Sequence, residues 1–442
     1  MSGFPTGLRA AVSAALLVCG VASAAVAQDS GSATGTLPGG VMYELRPDRA
    51  QSAAAVALWY RAPAGGFDAP AAPGLSRLAA ATVSASAPIS GTSLAQLVER
   101  FGGRLSVAAY PDSVAITALV PPDRVALTVR AMTADFFAPV VTAPGFAVAQ
   151  RDVGEDALLR SVEPDAIEDA LGAALFASGP LHDGTIATAK LADVTVERVR
   201  AFAERAFRPA NAILVLAGNV DAAALGSVAA RSGDSAATAE PAAASVPAER
   251  TAGTEPLRRT GIVSGTGLGW LGPSIADERA ATALDFLADV LFAPKTGTVA
   301  KALGSRKATV TGKFVTFHDP GVFLVTIMGD DSAAARPIVE KAVAAAATPM
   351  SPGAFDAARA AFVYRLLAAM ESPADLADTY GWYTVEGNAA YAPAEGGLGG
   401  RYFSLAATLT PAIVAQAAAR YLGGAPAVVT FAKRAPPPKT PA

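Results

Sequence analysis

The feature that most constrains the fold is an internal repeat, in which two helix–strand segments align without a gap at an offset of 215 residues. Thr195 aligns with Thr410, and each threonine is placed to cap the amino end of a helix. Ile213 aligns in the same register with Val428, inside an apolar run of strand length. Because unrelated segments rarely keep such a register, the repeat predicts a duplicated unit and therefore two similar halves.

Strand and helix patterns in both halves predict an α+β fold. In the first half, Val41–Leu45 and Ala53–Tyr60 have the apolar character of strands, and Leu94–Phe101 repeats apolar residues at helical spacing. In the second half, Leu284–Leu291 is a helix face and Gly321–Met328 a strand. Since helices are grouped between strands rather than alternating strictly with them, we expect a mainly antiparallel sheet in each half.

Composition divides the chain into segments. We predict a signal peptide at residues 1–27, a disordered lead-in at 28–40, a first domain at 41–226, a linker at 227–256, a second domain at 257–435 and a disordered tail at 436–442. The linker is rich in Ala, Ser, Gly, Pro and Thr and has little periodicity. With 442 residues, 52% of them hydrophobic, the chain can bury a core in each domain.

The amino-terminal residues have the pattern of a secretory signal peptide. Arg9 is followed by the apolar stretch Ala10–Val21, and small residues up to Ala27 predict cleavage after that residue and a periplasmic or secreted protein. A lipoprotein signal at Cys19 is an open alternative, although Val18 is bulkier than the usual residue before such a cysteine. Because Cys19 is the only cysteine, the mature chain can form no disulfide.

Charge and hydropathy argue against a nucleic acid partner and against a membrane-spanning segment. The net charge is −3 and no basic stripe is evident, so we expect no nucleic acid partner. After the signal peptide no run of 18 strongly apolar, uncharged residues occurs, so we expect no membrane span.

Several short motifs follow one another in an informative order. They are Phe101–Leu105 with its glycine pair, Phe207–Ala212, Gly218–Asp221, Met350–Pro352 and Leu409–Pro411. Together they resemble landmarks of the M16 (insulinase-like, pitrilysin) metallopeptidase family over nearly the whole mature chain. The resemblance implies two homologous M16-type domains with the LuxS/metallohydrolase-like fold, each a mainly antiparallel sheet packed with helices.

The zinc-binding motif of that family is absent from the stretch that should carry it. Active members place His-x-x-Glu-His on one helix, where two histidines bind Zn²⁺ and the glutamate activates water, while a distant glutamate completes the ligands. By resemblance, Arg77 stands at the first histidine position, Ala80 at the glutamate, Ala81 at the second histidine and Ala157 at the distant glutamate. We therefore expect no catalytic residue and no metal ligand here, and zinc only in a partner subunit.

Other metal-binding residues do not replace this motif in the sequence. His182 and His318 are the only histidines, and they belong to different halves. Glu155 lies two residues before Ala157, which places it about 200° away around a helix. We therefore expect a surface histidine and a solvated carboxylate rather than a second zinc site.

Two arginines have a possible role beside the vacated site. Arg77 lies on an otherwise small and apolar helix, so its guanidinium needs a partner, for which Asp112 and Glu155 are candidates. Metal-free partners in the family contribute an arginine and a tyrosine from the second domain. The matching stretch, Leu303–Thr311, has Arg306 but no tyrosine.

The resemblance implies a non-catalytic subunit. Such a chain would pair with a zinc-bearing M16 homologue and form half of a peptide-degrading chamber in the periplasm, and a homodimer is the other possible assembly. An alternative from another class is a non-proteolytic scaffold or peptide-binding protein of the cell envelope with the same fold.

Overall fold

The computed structural model describes residues 31–61, 74–87, 91–162, 164–177, 180–183, 191–229, 257–261, 264–387 and 401–433. The predicted signal peptide, most of the predicted linker and the predicted carboxy-terminal tail lie outside these residues.

The described strands form two sheets, one in each half. Their bounds are β1 Ala33–Thr36, β2 Met42–Pro47, β3 Ala54–Arg61, β4 Arg104–Ala109, β5 Ser113–Val120, β6 Ala212–Gly218, β7 Leu257–Gly261, β8 Gly265–Leu271, β9 Thr309–Val315, β10 Val322–Met328 and β11 Ala427–Lys433. The first sheet has the order β1-β2-β6-β3-β5-β4, and the second has the order β7-β11-β8-β10-β9. β2 pairs parallel to β6 and β7 parallel to β11, whereas the other pairs are antiparallel.

Helices pack on both sheets. Their bounds are α1 Leu75–Ala85, α2 Leu94–Arg100, α3 Val125–Phe137, α4 Ala143–Arg160, α5 Pro164–Leu175, α6 Pro180–Asp183, α7 Val196–Ala206, α8 Glu278–Phe292, α9 Thr298–Leu303, α10 Ser332–Ala345, α11 Pro352–Ala368, α12 Pro373–Val385, α13 Arg401–Thr408 and α14 Pro411–Leu422. In the described part of the chain no single helix is long and apolar enough to cross a membrane, and α13 with α14 meets that criterion only as a pair bent by 98°.

The two halves repeat one topology, which confirms the predicted α+β fold and its duplication. Omitting β1, the strand orders of the two sheets correspond position by position. The side chain of Thr195 accepts a hydrogen bond from the backbone N–H of Arg198 at the start of α7, and Thr410 accepts one from Ile413 at the start of α14. The two helix caps therefore recur at the offset that the sequence predicted.

The sheet of each half is covered by a helix that belongs to the other half. Helix α5 packs on β8, β10 and β11, and α12 packs on β3, β5 and β6. Ile167 and Leu171 of α5 belong to a buried cluster with Val429 of the second sheet. Tyr380 of α12 packs in another cluster with Trp59 of the first sheet. Because the exchange is reciprocal, separating the halves would expose an apolar face of both sheets.

The lead-in predicted to be disordered contains strand β1, so that part of the prediction is wrong. Ala33–Thr36 pairs antiparallel with residues of β2. The ring of Tyr43 lies so close to Gly35 that a Cβ there would be 2.8 Å from Tyr43 Cε1. β1 consists of small residues with no apolar pattern that would predict a strand. Its packing depends on side chains of the neighbouring strand β2.

Candidate functional site

Helix α1 carries three of the four positions that correspond to zinc-site residues, and α4 carries the fourth. The side chains of Ala80 and Ala157 are buried, at 0% and 3% exposure, and Ala81 is half-buried. Small residues on α1 let α4 pack closely against it. Helix packing therefore buries Ala80 and Ala157.

A row of alternating positively and negatively charged side chains lies beside these alanines. Arg77 of α1 forms an ion pair with Asp156 of α4, and Asp156 Oδ2 also lies 3.3 Å from Arg160 Nε. Arg160 Nη1 lies 2.8 Å from Asp165 Oδ2 in the first turn of α5. Burial lowers the pKa of Arg77, an effect that the charge of Asp156 opposes. The chain of ion pairs thus links α1, α4 and α5.

The partner of Arg77 is neither of the two predicted carboxylates. Glu155 is exposed on α4, and Asp112 lies at a different site, between the two halves. Arg77 reaches Asp156, which adjoins Ala157 in the sequence. The pair Asp156 and Arg160 has the i, i+4 spacing of helical ion pairs, which is the one signal in the sequence that could have indicated this network.

The remaining candidates do not gather into one site. His182 lies on α6 in the first half, whereas His318 lies between β9 and β10 in the second. Arg306 is exposed, and its Nη1 donates to the carbonyl oxygen of Leu303 at the end of α9, 3.2 Å away. Over the described ranges, no group of three or more His, Cys, Asp and Glu side chains is arranged to hold a metal ion.

A second polar centre lies where the two halves meet. Asp112, in the turn between β4 and β5, is in hydrogen-bond contact with Glu386, the residue after α12. Burial raises the pKa of Asp112 to about 6 and raises the pKa of Glu386 well above its usual value. No local pattern connects these two carboxyl groups, because they are far apart along the chain.

A cleft of about 290 Å³ lies between the halves, next to the charge network. Ala108 of β4 and Lys313 of β9 both line it, and α5 contributes Glu168 and Leu175. Lys313 Nζ forms an ion pair with Glu168 Oε2 at 2.7 Å, which crosses from one half to the other. Arg160 also lines the cleft and so connects it to the ion pairs at α1.

Comparisons with known proteins identify the type of domain. Residues 193–362 match the family model described as "Peptidase M16 inactive domain". A comparison with curated proteins gives no match.

Solved structures show the same fold. A protease from Helicobacter pylori has 15% identity and a TM-score of 0.75, with 91% of this chain and 99% of that chain covered. A peptidase M16 inactive domain from Pseudomonas fluorescens has 17% identity and a TM-score of 0.71, with 91% and 97% covered. A chain of Complex III2 from Candida albicans, with Inz-5 bound, has 13% identity and a TM-score of 0.69, with 90% and 95% covered.

The architecture is therefore an M16-type fold, built from two similar α+β halves. The family match covers residues 193–362, from the helix before β6 into α11, and it agrees with the family that the sequence motifs resemble. The description of this domain as inactive agrees with the expectation that the chain is not catalytic by itself.

Proposed function

We propose that this chain is a non-catalytic M16 subunit that pairs with a zinc-bearing M16 homologue and forms part of a peptide-degrading chamber in the periplasm. The observation that carries this proposal is the ion pair between Arg77 and Asp156. In active members a metal joins the two helices at this point. Here a cation and a carboxylate join α1 to α4, so the architecture is kept without metal chemistry.

The cleft between the halves supports a role in peptide contact. Strands β4 and β9 are edge strands of their sheets as far as the chain is described, and both contribute to the cleft walls. An edge strand offers backbone donors and acceptors to an extended peptide, while apolar side chains such as Leu175 and Leu324 offer contact to its side chains.

Cleavage of a fluorogenic peptide tests the pairing. We expect no cleavage by this chain alone and a rise when a zinc-bearing M16 homologue from the same organism is added. The control is that homologue with the glutamate between its zinc-binding histidines replaced by glutamine, which should stay inactive in the mixture. If the two proteins do not co-elute on size exclusion and mixing leaves cleavage unchanged, the pairing is wrong.

A peptide-binding envelope scaffold is the second candidate, and the same cleft favours it. One of the similar structures is described as part of a complex. If the chain acts alone, unstructured peptides should change the fluorescence of Trp382, which lines the cleft. Ala108→Leu narrows the cleft without adding a fluorophore and should reduce this change. Ser106→Leu is the matched control, since Ser106 is exposed on the same strand but outside the cleft lining.

A further inference from the structure

The buried carboxyl group of Glu386 meets the half-buried carboxyl group of Asp112, which belongs to the other half. Asp112 lies in the turn between β4 and β5, and Glu386 follows the last residue of α12. Their side chains are in hydrogen-bond contact, and Glu386 is only 1% exposed. The contact joins the β4–β5 turn of the first half to the end of α12, the helix of the second half that packs on the first sheet.

The hydrogen bonds around Glu386 require a proton between the two carboxyl groups. Glu386 Oε2 accepts a hydrogen bond from the backbone N–H of His318 at 2.6 Å. Glu386 Oε1 is buried and receives no hydrogen bond from any donor among the described residues. Two ionised carboxylates offer only acceptors to each other, whereas one protonated carboxyl can donate to the other. A single shared proton therefore lets the two carboxyl groups hydrogen-bond to each other.

Burial outweighs the neighbouring positive charge at Glu386, whose pKa is raised although Arg61 favours its ionisation. Arg61 is the cation that most favours ionisation of Glu386, but its Nη2 donates to the carbonyl oxygen of Thr384 at 2.6 Å. The ring Nδ1 of His318 lies 3.0 Å from the backbone oxygen of Glu386. Other charged or titratable groups on the packed elements include Glu44 and Arg46 of β2, Tyr110 of the turn after β4, Asp319 beside His318, and Asp375, Asp378, Tyr380 and Tyr383 of α12.

We propose that Asp112 and Glu386 form a pH-sensitive lock between the two halves. With one shared proton, the pair holds the β4–β5 turn against the end of α12. When the proton is lost, two like charges face each other in a buried contact, and this junction opens.

The direction of the pH effect follows from proton binding. Burial raises the pKa of Asp112 to about 6 and that of Glu386 further, whereas a carboxyl in the opened junction has a pKa of about 4. The closed junction therefore binds more protons than the open one as soon as the pH exceeds about 4. The opening equilibrium should rise with pH, by up to about tenfold per unit for one proton, until the pair has lost that proton.

Hydrogen exchange of the His318 amide, measured on the full chain from pH 5 to 8, tests the lock. This amide donates directly to Glu386 Oε2, so its protection reports the junction itself. After correction for the intrinsic pH dependence of exchange, we expect protection to fall as the pH rises. In Asp112→Asn an amide N–H can replace the shared proton, so protection should stay constant over the same range.

The local measurement is needed because other buried carboxyls titrate in the same range. Burial raises the pKa values of Asp135 and Asp285 to about 6, so global unfolding would mix their effects with that of the lock. Asp123→Asn changes an exposed carboxyl and should behave as the unmodified protein.

A second variant separates loss of the lock from a folding defect. Glu386→Gln keeps an oxygen for the His318 amide and adds a donor for Asp112, so it should also remove the pH dependence. If protection at His318 is independent of pH in the unmodified protein, the lock does not exist. If protection falls equally in the unmodified protein and in the folded variants, another group controls it and the proposal is wrong.

Discussion

Arg77 and Asp156 form an ion pair between α1 and α4, beside the buried side chain of Ala157. The side chain of Arg77 is 15% exposed, so the guanidinium has lost most of its contact with water. Removing it leaves Asp156 partly buried with Arg160 as its remaining cation. We expect Arg77→Met to lower the free energy of unfolding by about 1–2 kcal/mol, measured by urea denaturation.

An exposed arginine is the matched control for that change. Arg151 on α4 pairs with its neighbour Asp152, and its side chain is 63% exposed. Arg151→Met should therefore change the free energy of unfolding by less than about 0.5 kcal/mol. Equal losses in the two variants would show that the buried pair does not stabilise the packing of α1 on α4.

The purified chain should bind no stoichiometric zinc. Arg77 places a positive charge among the positions that bind the metal in active relatives, and Ala80, Ala81 and Ala157 offer no ligand atoms. Elemental analysis after dialysis is the measurement. One zinc ion per chain, lost on replacing His182, would contradict this expectation.

Gly381 of α12 lies against the indole ring of Trp59. A Cβ at this glycine would be 2.0 Å from Trp59 Nε1, inside the contact between the halves. Gly381→Ala should therefore lower the free energy of unfolding by about 1–3 kcal/mol through overpacking. Thermal unfolding measures the effect. Gly154→Ala on α4 is the matched control, because nothing lies within 4 Å of its added Cβ, and it should stabilise by about 0.5–1 kcal/mol.

Asp285 of α8 makes stability depend on pH within the second half. It is hydrogen-bonded to the hydroxyl of Tyr402, yet burial raises the pKa of Asp285 to about 6. Since an exposed aspartate has a pKa of about 4, the folded state binds this proton more tightly. Its contribution to stability is complete below about pH 4 and is lost as the pH rises through about 6.

Asp285→Asn removes that titration, so the melting temperature of the variant should vary less between pH 4 and 7 than that of the unmodified protein. Asp152→Asn changes an exposed carboxyl and serves as the control. An unchanged pH profile in the Asp285 variant would contradict the assignment.

Limited proteolysis tests the predicted division into domains. We expect the first cut between Ala236 and Ala252, in the linker predicted from composition. Because α5 and α12 are exchanged between the halves, the two fragments should still co-elute on size exclusion. First cuts confined to Thr195–Asp221 would contradict the domain boundaries, and separation of the fragments would contradict a stable exchange.

Local patterns were enough to predict the repeated unit. Thr195 and Thr410 cap helices through hydrogen bonds within one turn, and the apolar runs at β6 and β11 have the length of buried strands. The loss of the zinc motif could likewise be identified from residue types alone. These features depend on neighbours along the chain, which the sequence records directly.

The tertiary structure decided which distant residues meet. Arg77 forms its ion pair with Asp156 because of the way α4 packs on α1. The predicted partners, Asp112 and Glu155, are not placed beside it. The contact of Asp112 with Glu386 depends on the exchange of helices between the halves. The sequence by itself determined two similar α+β halves without the zinc ligands. The ion pairs, the carboxyl pair and the cleft arose from packing between elements, because side-chain contacts between distant segments form only when those segments fold together.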